Sequence, residues 1–346
     1  MNAGTHTKTV ETLTVGDIQC EPGASTRGRI VVGYLKDGTE LALPVLLMNG
    51  AKPGPTLYIG ALIHGTEPVG AIVVQRLMRE ALDAAQLHGR VIGIPIQNPL
   101  AFRTGSYHSL EDGLNGNRIF PGDASETLTN RLVAAISRHA VAQADYVIDL
   151  HSNARDSILF NFVRWNDSKA GRASVAMSRA FGFTTVLSEA KRQGFGFEER
   201  LVGLLADTSL AAGKPTLTVE LTPQYDIEPS IVEAGVRGVL NVLRHLKMLE
   251  GSPEPLSGLP IIDELLGPQL RITPERGGFV EPQVAIGTWI EKGQVVALIR
   301  DAWGDAVEEV KSPSDGFVLS YPRHGNHAAA SGDIVAFVAP KHAPID

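Results

Sequence analysis

The amino-acid sequence predicts an α/β fold with a mostly parallel or mixed central sheet flanked by helices, followed by an all-β C-terminal domain. Three observations carry that prediction. From Thr56 onward, short apolar runs of strand length alternate with helical patterns. A segment holding Pro253, Pro255 and Pro260, GSPEPLSGLP, then breaks the pattern. Beyond it only short β-like runs with Gly-rich turns remain. Alternating strands and helices favour parallel pairing, because each crossover helix packs back onto the sheet.

Taken in order, the first fifty residues form an N-terminal β segment (1–50). Its runs RIVVGYL and ELALPVLLM flank a turn at Lys36-Asp37-Gly38. LYIGALI, VIGIPI, DYVIDL, ILFNF and TLTVEL follow as buried strands. A first helix is expected over about 68–82, with Val69, Ile72, Val73, Leu77 and Leu82 stepping round one face. A second is expected over about 125–143. A third, SIVEAGVRGVLNVLRHLKMLEG, stacks Ile231, Val232, Val236, Val239, Leu240, Leu243 and Leu246 and stops at Gly251. The predicted organisation is therefore an α/β domain over 1–250, a linker over 251–260, and a barrel- or sandwich-like β domain over 261–346.

Composition narrows the function classes. The chain has 346 residues, 43% hydrophobic and 20% charged, the balance of a folded soluble protein. A net charge of −7 offers no basic footprint for nucleic acid or an acidic membrane. The single cysteine, Cys20, excludes an internal disulfide and a cysteine-based zinc knuckle, and it fits a reducing compartment. The first residues lack a signal-peptide pattern, and no apolar run is long enough to span a bilayer. A cytoplasmic protein acting on a small molecule is expected, with assembly into a homo-oligomer left open.

Ligands of open α/β sheets gather at the C-terminal ends of the strands. His64 stands there after LYIGALI, and Glu67 follows at the start of the first helix. Imidazole and carboxylate are both zinc ligands, yet H-x-x-E alone is weak, and a plain loop is the alternative. DYVIDLHSN places His151 at a second strand end, with Asp149 on the same strand face. Asp149 could orient a ligand histidine or be an ordinary hydrogen-bonded aspartate. A third strand ends at Glu220, an unusual position for a carboxylate. It could pair with an arginine or act as a general base beside a metal. The polar stretch over 96–123 reads as a long loop, of the kind that is either functional or disordered. It carries Arg118 beside Asn117, a second cation in Arg103, and a donor in Tyr107.

In this order, HGTE, NPLAF, DGLNGNRIFPG, DLH and TVEL resemble the succinylglutamate desuccinylase/aspartoacylase family, of the zinc carboxypeptidase superfamily. The resemblance covers roughly residues 53–250, and the branch with this extended loop looks like the acetyl-diaminobutyrate deacetylases. It implies an α/β zinc amidohydrolase that cleaves the amide of small N-acyl amino acids. His64, Glu67 and His151 would bind one Zn2+ per chain, Glu220 would be the catalytic base, and Asn117 with Arg118 would hold a substrate carboxylate. Three departures stand out. Tyr107 occupies the place of a usual arginine, so either Arg103 replaces that arginine or Tyr107 donates to the oxyanion. Gly116 precedes Asn117 where leucine is usual, which would loosen the backbone there. Thr222-Pro223 follows TVEL where glycines are common. The rivals are a peptide-cleaving zinc carboxypeptidase and a non-catalytic binding or carrier protein.

The C-terminal runs WIEKGQVVALI and VKSPSDGFVLS are similar to half-motifs of biotinyl/lipoyl barrels, but Lys311 is not framed like a carrier lysine. An accessory β domain walling the active-site mouth is expected. His324 and His327 read as exposed loop residues, and Glu281 as a candidate that could reach the site.

Overall fold

The structure, a computed structural model, describes residues 10–154, 156–189, 203–321 and 328–345. The N-terminal part holds β1 (Leu13–Val15), β2 (Ile18–Cys20), β3 (Ala24–Tyr34) and β4 (Glu40–Asn49). β3 and β4 alternate in burial, as a hairpin with one wet face must. The α/β core continues with β5 (Lys52–Ala61), α1 (Pro68–Arg76), β6 (His88–Ile94), α2 (Pro99–Thr104), α3 (Leu128–His139) and β7 (Tyr146–His151). It closes with β8 (Phe160–Trp165), α4 (Lys169–Phe181), β9 (Thr184–Glu189), α5 (Leu205–Ala211), β10 (Thr216–Glu220) and α6 (Pro229–His245). After the proline-rich segment, β11 (Leu265–Leu266) first returns to the main sheet.

These strands form a nine-stranded mixed sheet of order β11-β9-β8-β10-β7-β5-β6-β4-β3. The contiguous block β10-β7-β5-β6 is parallel. Its strands are largely buried on both faces, which is why LYIGALI and VIGIPI read as unbroken apolar runs. One face packs against α1, α4 and α6 through residues such as Val73, Phe181 and Val239. The other carries Tyr58, Ile92 and Val147 under α3, whose Leu132, Val133 and Ile136 point inward.

Several boundaries differ from expectation, each for a local reason. The first helix is regular only to Arg76; Leu77–Ala81 then widens into a π turn closed by Leu82 N–H to Leu77 C=O at 3.0 Å. The second starts at Leu128, because Asp112 accepts from both the N–H and the hydroxyl of Thr129 at 3.0 and 2.8 Å. The third ends at His245, not Gly251: Lys247 takes the left-handed conformation (φ 60°). Met248 N–H then bonds Leu243 C=O at 2.8 Å and Lys247 N–H bonds Arg244 C=O at 3.1 Å, closing the helix without a glycine. The loop expected over 96–123 contains α2 and a 3₁₀ turn at Gly116–Arg118.

The C-terminal strands are β12 (Leu270–Ile272), β13 (Gly278–Pro282), β14 (Trp289–Ile290), β15 (Val295–Arg300), β16 (Ala306–Lys311), β17 (Gly316–Ser320), β18 (Ala328–Ala329) and β19 (Ala336–Ala339). They build two four-stranded antiparallel sheets, β12-β19-β17-β14 and β16-β15-β13-β18. Val280, Ile299 and Val338 belong to their shared core. A further cluster joins Phe160 and Leu266 of the main sheet to Leu319 and Phe337. The β15–β16 turn, where a carrier domain would present a lysine, carries Trp303 instead, 87% exposed, and Lys311 pairs with Glu309. Glu281 is on the surface bonded to Arg300 and does not reach the sheet edge expected to bind ligand. His324 and His327 lie outside the described residues.

Candidate active site

β5, β7 and β10 are neighbours, and all three end at the same edge of the sheet. The β5 strand stops at Ala61, two residues before the apolar run does, because Leu62 adopts a left-handed backbone (φ 57°). For a buried leucine that conformation is strained, and strain of this kind collects at functional sites. The chain turns there and delivers His64, then Glu67 as the residue capping α1 ahead of Pro68. Gly65 is needed for space rather than flexibility: a Cβ would lie 2.0 Å from the Ala101 carbonyl of α2. β7 delivers His151, paired in parallel register with Glu220 of β10, so both side chains emerge on one face.

His64, Glu67 and His151 are buried and offer ligand atoms all within 4.8 Å of one another. Nδ1 of His64 lies 2.9 Å from Glu67 Oε1, and Nδ1 of His151 lies 3.0 Å from Oε2. The far nitrogens have acceptors of their own: Asn115 Oδ1 at 3.2 Å from His64 Nε2, and Asp149 Oδ2 at 2.8 Å from His151 Nε2. Asn117 Nδ2 also lies 3.3 Å from that His151 nitrogen, but two donors do not bond, and the shorter carboxylate contact decides the tautomer. With both Nε2 atoms protonated, two Nδ1 lone pairs and a carboxylate converge on one buried point. Such a point needs a positive charge. Where protons supply that charge instead of a metal, burial still pushes Glu67 up, but His64 and His151 as imidazolium ions outweigh it and hold its carboxyl well below the usual range. Burial pushes His151 down, but Asp149 and Glu67 raise it well above an ordinary histidine. Two imidazole nitrogens and a carboxylate oxygen within 4.8 Å of one another could hold a metal ion, and that donor set is one that zinc accepts.

Behind the trio runs a buried chain that the sequence did not reveal. Gln97 Nε2 donates to Asp149 Oδ1 at 2.6 Å, and Tyr58 donates to Gln97 Oε1 at 3.2 Å. Gly60 leaves room for it, since a Cβ there would lie 2.6 Å from both Gln97 Nε2 and the Tyr58 hydroxyl. Gly60→Ala is therefore expected to destabilise the fold by about 1–3 kcal/mol through overpacking, read as a lower denaturation midpoint; an unchanged midpoint would contradict it. Gln224 holds Glu67 from the other side, with Nε2 3.4 Å from Oε1 and 2.9 Å from the Ser152 carbonyl.

The trio opens onto a pocket lined by Tyr107, Asn117, Arg118, His151 and Glu220 among others. Tyr107 stacks on the His64 ring, centroids 3.8 Å apart and planes 17° apart. Arg103 is not brought in: it is exposed on the last turn of α2. Its charge is felt by Asp37, a carboxyl lowered mainly by hydrogen bonds from Thr39. Asn117 uses Oδ1 to accept the Leu205 N–H at 3.0 Å. Gly116 does not loosen this turn, where Asn115 Oδ1 accepts the Asn117 N–H at 2.9 Å and a Cβ on Gly116 would meet Ile63 at 2.8 Å. The floor consists of Phe160, Phe162 and Thr218, and Gln269 and Phe337 reach in from the C-terminal strands. Arg164 also lines the pocket; it is a charged residue inside a strand, the signal that singled out Glu220.

A sequence profile of the succinylglutamate desuccinylase/aspartoacylase catalytic domain matches residues 53–246. An N-alpha-acetyl-L-2,4-diaminobutyric acid deacetylase of Halomonas elongata is 28% identical over 305 residues, spanning 86% of this chain and 85% of that protein. A product-bound structure of the ectoine utilization protein EutE (DoeB) from Ruegeria pomeroyi superposes with a TM-score of 0.81 at 23% identity, covering 96% of this chain and 99% of that one. A succinylglutamate desuccinylase/aspartoacylase structure from Rhodobacter sphaeroides gives a TM-score of 0.78 at 24% identity, covering 92% and 95%.

Proposed function

The chain belongs to the succinylglutamate desuccinylase/aspartoacylase family, and from that premise we propose that it is a zinc-dependent hydrolase cleaving the amide bond of a small N-acyl amino acid or related linear amide. The observation that carries this reading is the buried convergence of His64, Glu67 and His151 beside Glu220, on three adjacent strand ends. Those three side chains would hold one zinc ion, which supplies Lewis acidity toward the acyl carbonyl and a lowered pKa for bound water.

The remaining work falls to the protein. Glu220 takes a proton from the attacking water and delivers it to the departing amine nitrogen. Tyr107, stacked on His64, presents its hydroxyl as a donor to the developing oxyanion. Asn117 and Arg118 hold the substrate carboxylate, and Gln269 with Phe337 narrows the mouth against longer chains. Asp149 fixes the tautomer of His151, so Asp149→Asn is expected to weaken zinc affinity about 10- to 100-fold. Competition against a chelator measures this, and unchanged affinity would remove Asp149 from that role.

The division at 251–260 into a hydrolase domain and a C-terminal β domain belongs to the same proposal. So does a cytoplasmic location, supported by a lone buried Cys20. No helix among the described residues is long and apolar enough to cross a membrane. The testing experiment is a metal analysis joined to a hydrolysis screen over Nα-acetyl-L-2,4-diaminobutyrate, other N-acyl amino acids and short peptides. Release of free amino acid from an N-acyl compound by zinc-loaded protein is expected. Cleavage of peptides alone would turn the reading into a carboxypeptidase, and a folded protein that binds no metal would sink it.

A further inference from the structure

Tyr58 and Gln97 are fully buried polar residues that the chemistry above does not use, and both lie outside the motifs that carry the family resemblance. Gln97 comes shortly after β6. Its N–H bonds the Ala61 carbonyl at 2.9 Å, and the next N–H, of Asn98, bonds the Leu62 carbonyl at 3.1 Å. These bonds fix its backbone against the end of β5. In the register of β5 with β7, Gly60 stands opposite Asp149 and Tyr58 opposite Val147. Gly60 has no side chain to fill the space there, and the Gln97 carboxamide takes it instead: a Cβ on Gly60 would lie 2.7 Å from Gln97 Cδ.

The partners decide which way the carboxamide points. The Asp149 carboxylate only accepts, so Nε2 faces it at 2.6 Å, and a reversed amide would set two acceptors at that distance. Oε1 is left to accept from the Tyr58 hydroxyl at 3.2 Å. Asp149 is thereby held at both oxygens, by Gln97 at Oδ1 and by His151 Nε2 at Oδ2, 2.8 Å away. A carboxylate tied at one oxygen can swing about that bond. Tied at both, its plane is set, and with it the direction in which the His151 ring aims Nδ1. A tyrosine hydroxyl and a carboxamide cost more to bury than apolar side chains of like volume. The bonds that offset this cost run in one direction and end on His151.

We infer that Gln97, braced by Tyr58, is a positioning residue that acts through Asp149 to aim Nδ1 of His151 at the point shared with His64 and Glu67. This rests on reading those three side chains as zinc ligands, and it adds two residues that the reading itself does not need.

The test measures zinc affinity of the full-length protein by competition against a chelator, beside the denaturation midpoint of the zinc-free protein. Gln97→Met stays unbranched and similar in length but cannot donate. It should weaken zinc binding about 3- to 10-fold, less than the roughly 10- to 100-fold typical of a residue that touches the ligand itself. Tyr58→Phe should weaken it by a smaller factor, and by nothing further in a Gln97→Met background, because its effect passes through Gln97. Loaded with Co2+ in place of zinc, Gln97→Met should show shifted visible ligand-field bands, which a merely looser core would leave in place. Should Gln97→Met not fold, Tyr58→Phe carries both measurements. A folded variant with wild-type zinc affinity and an unshifted cobalt spectrum overturns the inference, whatever its midpoint. So does a Tyr58→Phe effect that adds in full to that of Gln97→Met. The expected zinc effects without hydrolysis of any compound in the wider screen support the inference and remove the hydrolase reading. A wild type that binds no zinc sinks both.

Discussion

Glu220→Gln is expected to lower kcat by roughly 10²–10⁴-fold, the usual contribution of a positioned general acid–base, while zinc stays bound. Glu220 lies at the end of a strand laddered to His151, half-buried and open to the pocket, so an amide of the same shape leaves the ladder intact. It cannot accept a proton. Rapid-mixing turnover beside a metal assay separates the two effects. Full activity in a zinc-loaded Glu220→Gln protein would remove Glu220 from the mechanism.

Glu67→Ala is expected to have the second large effect, on the metal itself. Its two oxygens are what the Nδ1 atoms of His64 and His151 face, and no other carboxylate is in the trio. Without it the histidines remain as an incomplete set, and zinc should fall from about one equivalent per chain to near none after dialysis. The affinity loss should exceed the roughly 10- to 100-fold typical of outer-shell partners. The fold has to be read alongside the metal, because Glu67 is buried and its loss leaves His64, His151 and Gln224 without their shared acceptor. Circular dichroism with elemental analysis makes the comparison; stoichiometric zinc in Glu67→Ala would exclude the ligand assignment.

The parts of this site carried by strand ends were legible because burial on both faces leaves apolar runs, against which His64, His151 and Glu220 are conspicuous. α6 was legible through its apolar period, but its end was not, since Lys247 rather than a glycine turns left-handed. α4 escaped notice although Ser168 caps it and Gly182 ends it. Its inward face interleaves the small Ala170, Gly171, Ser174 and Ser178 with Val175, Met177 and Phe181, which dilutes the large-residue period. β9, TTVLSE, mixes hydroxyl and apolar residues in too short a run to read as a buried strand. Tyr107 was visible as a departure, but only its stacking distinguishes it from Arg103. Gln269 and Phe337 lack any local signal, since proximity to Glu220 arises from how the C-terminal sheets dock on Phe160 and Leu266.

The adjacency of β10, β7 and β5 separates two kinds of change open to this architecture. The proposed ligands and base are delivered by the ends of three strands whose spacing is set by main-chain hydrogen bonds, and a one-residue slip in any of them would turn that side chain to the opposite face. Tyr107, Arg118, Gln269 and Phe337 instead sit on connecting segments and on a second set of sheets. A lineage can remodel that rim by insertion or substitution and so acquire a new acyl or amine preference. The proposed centre on the strand ends would be inherited unchanged.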